Sequence, residues 1–153
     1  MATSAEVKKL RAAKIAHTLA MAYRNGDVEG TDVLRILRHE LRRLNTNRKL
    51  LIPRRSAEAQ RVIETHADPA DIPKNGSLDA LHADHVWNIS AKTLSDTTTI
   101  DGWLVELEKL SEVVCVTAKE NYALMKKEKL GDWGHIKYEG LDVREVPRTD
   151  AER

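Results

Sequence analysis

The residues best suited to chemistry occupy four consecutive positions, His82-Ala83-Asp84-His85. A carboxylate beside an imidazole can hold a divalent cation while the imidazole takes a proton from water. The activated water then attacks a phosphodiester, and the metal stabilises the leaving oxygen. In that arrangement Asp84 is a metal ligand, His85 the general base and His82 a second ligand. Asn121 is the distant partner: its spacing against Tyr122, Leu124 and Met125 places it toward the apolar side of a helix. An amide there costs about 1–3 kcal/mol unless something pairs with it; the alternative is that its first-turn location leaves it half-exposed and capping. Strand geometry adds a condition. His82 and Asp84 share a face in a regular strand, whereas His85 joins Asp84 only where the strand ends or bulges. Of the scattered His17, His39, His66 and His135, only the last follows the helix closely enough to fold back toward the cluster.

The elements that must position these residues read as mainly α with a small β component, an α+β chain. A first helix is expected from about Ala5 to Asn25, stopped by Gly26, and a second from Thr31 or Asp32 with Val33, Leu34, Leu37, Leu41 and Leu44 buried. Together they form an N-terminal helical hairpin. Asn45 to Arg55 reads as a connector or short strand, and Ser56 caps a third helix reaching about His66. The Pro- and Asp-rich stretch HADPADIPKNGS marks a break. Boundaries follow at 1–66 for a basic helical region, 67–77 for a linker, 78–146 for a C-terminal α+β unit and 147–153 for a polar tail. Within that unit, Leu78 to Ile89 is a candidate strand and Thr98 or Thr99 starts a helix. Val113 to Val116 is a buried strand, and Thr117-Ala118-Lys119-Glu120 is a capping box for a helix over Ala118 to Leu130. HIKYEGLDVREV reads as a small hairpin.

Composition narrows the function classes. The chain has 153 residues, a charged share of 32% and no Phe, so its core rests on Leu, Ile, Val and Ala. No apolar run is long enough to span a bilayer and no signal pattern opens the chain, so a cytoplasmic location with no membrane partner is expected. Cys115 is the one cysteine, set in an apolar run where a thiol is inert rather than nucleophilic. There is no glycine-rich phosphate loop and no serine elbow. Residues 1–63 carry 14 Lys+Arg against 6 Asp+Glu, and residues 64–153 carry 11 against 18. Such asymmetry suits either a nucleic-acid-facing half or two halves that attract one another. Arg35, Arg38 and Arg42 form a stripe that can follow a phosphate backbone or simply be a solvated face. Trp87, Trp103 and Trp133 are possible anchors for a protein partner, with Trp103 on a core stripe.

The string LHADHV resembles the first motif of HNH-type (ββα-metal) nucleases, and VVCVTAKENYALMKKEK resembles their closing strand and helix. The chain is also similar to small phage and actinobacterial proteins of unclear function. The resemblance covers residues 78–130 and implies a ββα-like unit with Mg²⁺, Mn²⁺ or Zn²⁺ held by Asp84 and Asn121, His85 as base and DNA as substrate. Asn88 stands where a proline often follows the motif, and no asparagine lies between Asn88 and Asn121 to act as the central one. The expectations are therefore a metal-dependent nucleic-acid phosphodiester hydrolase or a degenerate form of it. The alternative is a non-catalytic nucleic-acid-binding or protein-interaction factor, regulatory or defence-related.

Overall fold

A computed structural model describes residues 2–42 and 49–146, with the side chains of Leu41 and Arg42 outside the description. Leu44, residues 45–48 and the polar tail 147–153 also lie outside the described residues. In chain order the elements are α1 (Ser4–Arg24), α2 (Gly30–Arg42), β1 (Arg54–Ser56), α3 (Ala57–Thr65) and β2 (Leu81–His85). They continue with α4 (Ala91–Asp96), α5 (Ile100–Leu110), β3 (Val113–Thr117), α6 (Ala118–Lys129) and β4 (Val143–Glu145). The chain is α+β, as expected. No described helix is long and apolar enough to cross a membrane.

The helices and strands sort into two compact units that are not consecutive in sequence. The first, over residues 2–42 and 87–112, contains α1, α2, α4 and α5. Thr3 opens α1 with a reciprocal capping box to Glu6. Ala13, Ala16 and Ala20 form its buried side, and their small size lets α5 pack close. Trp103, Leu107, Leu94, Val33 and Leu37 fill that core. Arg24 donates to the Leu94 and Thr97 carbonyls at 2.9 and 3.0 Å, which satisfies the end of α4. This short helix was not expected from the sequence.

The second unit, over residues 49–86 and 113–146, is built on a four-stranded sheet in the order β2-β3-β1-β4. β1 and β3 are parallel, with Arg55 opposite Cys115, and each runs directly into a helix. Ser56 caps α3 through the Ala59 amide, and Thr117 caps α6 through the Glu120 amide. Glu120 joins the two starts, because its Oε1 accepts from Ser56 Oγ at 2.5 Å and from the Thr117 amide at 3.0 Å. Ile52, Ala59, Val62, Leu81 and Cys115 form the core between α3 and the sheet.

Three expectations need correction. The linker expected at 67–77 lies inside the second unit, since the helical unit takes in 87–112 and the sheet unit takes in 49–66. The expected hairpin at 135–146 is a 3₁₀ turn at His135–Tyr138 followed by β4, which pairs antiparallel with the distant β1. The charge asymmetry also dissolves in space. Described residues of the first unit carry 10 Lys+Arg against 10 Asp+Glu, and those of the second carry 11 against 12.

Candidate functional site: a buried ionic centre at Asp84

β2 pairs antiparallel with β3 in unbroken register from Leu81↔Thr117 to His85↔Val113. Directly paired residues share a face, so His82 and Asp84 lie on one side with Val116 and Val114, and His85 lies on the other. There is no bulge to turn His85 toward Asp84. Asp84 and His85 therefore do not meet as ligand and base on one face, and His82 is the histidine on the Asp84 side.

Asp84 is 5% exposed and its partners come from the end of the chain. Its Oδ2 accepts the Tyr138 hydroxyl and lies 3.0 Å from the Lys137 ammonium. Lys137 is fully buried, and its Nζ also donates to Glu128 Oε1 at 2.8 Å and to the His85 carbonyl at 2.6 Å. The Trp133 ring covers the same ammonium at 4.4 Å. A buried carboxylate needs a paired charge or hydrogen-bond donors to remain stable, and here it has both. Burial, followed by the Asp84 charge and the bond to it, pushes the Tyr138 hydroxyl far above its ordinary range, so it stays a donor.

The local sequence explains how these groups arrive. α6 starts beside the Leu81 end of β2 and runs back along the pair, so its late residue Glu128 reaches the Asp84 end. Gly131 at φ +89° and Gly134 at φ +87° take left-handed conformations that side chains resist. The Gly134 amide then donates to the Val86 carbonyl at 2.8 Å, fastening the 3₁₀ turn that carries Lys137 and Tyr138 to the strand end.

Asn121 does not join this centre. It is half-buried in the first turn of α6, and its amide nitrogen lies 4.0 Å from Met125 Sδ. It sits seven residues before Glu128, or about 10 Å along the helix axis. The apolar side of α6 is also narrower than its spacing implied: Leu124 is buried, but Tyr122 and Met125 are 56% and 42% exposed. Among the described residues no group of three His, Cys, Asp or Glu side chains is arranged to hold a metal. The residues around Asp84 are instead occupied by an ammonium ion of the chain itself.

The remaining candidates lie elsewhere. Arg35 and Arg38 are exposed on α2, Arg35 with Asp32 at 3.5 Å, and the Arg42 side chain falls outside the described residues. Trp103 is core, and Trp87 donates to Glu112 Oε2 at 2.8 Å under the Lys109 ammonium. His135 is exposed and Cys115 is buried, its thiol pushed by burial up to about 11. Lys137, Tyr138 and Glu128 were missed because nothing in their local pattern distinguishes them from surface residues. The bracketing glycines of GDWGHIKY were the only available signal. Comparison with protein-family models, curated proteins and solved structures gives no match.

Proposed function

We propose that this protein is a non-catalytic nucleic-acid-binding factor whose contact surface is the outward face of α1. The observation that carries this reading is a row of cations without counter-charges. Lys8, Arg11 and Lys14 recur every three residues on the exposed side of α1, and none makes an ion pair among the described residues. Lys9, turned the other way, is neutralised by Glu108 at 2.6 Å. The three cations span about 9 Å of helix axis, and α1 has the diameter of a rod that fits a duplex major groove. Val7, Leu10, Ile15 and Met21 are 38–45% exposed beside them and offer apolar contact to bases. Arg35 and Arg38 add positive charge on α2. The hydrolytic reading has less support, because the Asp84 carboxylate is already satisfied within the chain.

The test is fluorescence anisotropy of a labelled DNA duplex in EDTA. Wild-type protein should bind at about 50 mM salt and weaken steeply by about 200 mM. The triple variant K8E/R11E/K14E, with an unchanged circular dichroism spectrum, should bind at least about tenfold more weakly and with a shallower salt slope. Equal binding by the variant, or none by the wild type at low salt, would remove the proposal. Cleavage of the same duplex by Mg²⁺-, Mn²⁺- or Zn²⁺-loaded protein, lost in His85→Ala, would replace it with the hydrolase.

A further inference from the structure

The second unit holds an open cleft of about 620 Å³, within the size range of small-molecule sites. Leu50, Leu51, Ile72 and Leu81 give it an apolar wall, and Lys49 and Lys74 are the charged residues in its lining. Among the described residues no carboxylate lines it. Neither lysine's ammonium group makes a hydrogen bond or ion pair among the described residues, unlike those of Lys9, Lys109, Lys127 and Lys137, which all find partners. The walls are supported from behind by the α3 core, since Leu81 belongs to it and Leu50 and Ile72 pack against it.

We propose that this cleft binds a small amphiphilic anion, an aryl or acyl carboxylate. Its apolar body would lie against Leu50, Leu51, Ile72 and Leu81, and its carboxylate would pair with Lys49 and Lys74. An apolar cavity alone would accept any hydrophobe. Two ammonium groups, with no acid beside them among the described lining residues, select against cations and favour an anionic head. The Lys49 charge is also felt by its neighbours: after burial it is the next cause lowering the pKa of His82. A bound carboxylate would relieve this and raise that pKa. The cleft lies wholly within the second unit and stands independently of the α1 surface.

The probe is 1-naphthoate, titrated into ¹⁵N-labelled full-length protein and followed by amide chemical shifts. Saturable shifts should concentrate at Leu50, Leu51, Ile72, Ala80 and Leu81. The neutral analogue 1-naphthalenemethanol should bind at least about tenfold more weakly, as should K49E/K74E toward naphthoate. Ala70→Trp, at an exposed lining position, should block both compounds while leaving the dispersed spectrum intact. Failure to saturate at millimolar probe, or shifts centred elsewhere, would overturn the proposal. Equal affinity for the neutral analogue and for the charge-reversed variant would also overturn it, reducing the site to a non-selective apolar cleft.

Discussion

Asp84 is buried, and Lys137 and Tyr138 both address the same carboxylate oxygen. Its partners lie 53 and 54 positions downstream, so sequence reading found the carboxylate but not what satisfies it. An aspartate between two histidines looks the same whether a metal or a lysine completes it. Two further residues give predictions at this scale. Cys115 has its thiol raised to about 11 from 9.0, so at pH 8 it holds about a hundredfold less thiolate than an ordinary cysteine. It should resist a thiol reagent until urea unfolds the chain, and rapid labelling of the native protein would contradict this. His82 has its pKa lowered by burial first and by Lys49 second, against the opposing pull of Asp84. The unfolded chain therefore takes up this proton more readily than the folded one, so stability is full above the ordinary value of 6.5 and falls as pH drops below it. His82→Gln should flatten that decline in urea midpoints measured from about pH 7 to 5. An unchanged slope would show that His82 does not contribute.

At the scale of elements, what the sequence made legible was local. Thr99, Thr117 and Ser56 announce their helices because a hydroxyl at an N-cap bonds an amide two or three residues away. Val113 to Val116 announces a strand by its unbroken apolar run. What stayed hidden was pairing between distant segments. β4 has only three residues, and its half-exposed and exposed side chains carry no alternation that points to β1. The α4 helix of six residues carries one buried leucine, too little periodicity to read. Glu120 shows the difference within one residue: its capping role was visible, but its bond to Ser56, 64 positions earlier, was not. Glu120→Ala should therefore cost more than an ordinary cap, about 2–3 kcal/mol rather than about 1, because it frees α6 and the start of α3 together. Urea unfolding measures this, and a loss near that of a single exposed cap would show that the tie between the helices is idle.

For the whole molecule, the chain leaves the sheet unit after Val86, builds α4 and α5 of the helical unit, and returns at Val113. His85 and Val113 are opposite one another in the β2–β3 pair, so the excursion begins and ends at neighbouring strand ends. Residues that are direct cross-strand partners lie about 4.5–5.5 Å apart, a gap that a three-residue loop of Val86 and two inserted residues closes. A chain of residues 49–146 with 87–112 replaced by Asn-Gly should therefore fold and keep its amide dispersion. Residues 1–66 alone should not fold, since they lack Leu94, Trp103 and Leu107 of their core. Collapse of the shortened sheet unit would contradict this division. The sequence could not reveal it, because a helical insertion has the same periodicity as a helix belonging to either unit.

The His82-Ala83-Asp84-His85 segment supplies the fold with a buried ion pair, Asp84 with Lys137. The most direct test is a double-mutant cycle on Asp84→Asn and Lys137→Met, read by urea unfolding of the full chain. Lys137→Met strands the buried Asp84 carboxylate and should cost about 3–5 kcal/mol, whereas Asp84→Asn leaves Lys137 paired with Glu128 and should cost less. The double variant should lose about 2–3 kcal/mol less than the sum of the two. Additivity within about 0.5 kcal/mol would contradict the account and return Asp84 to the list of residues free to hold a metal.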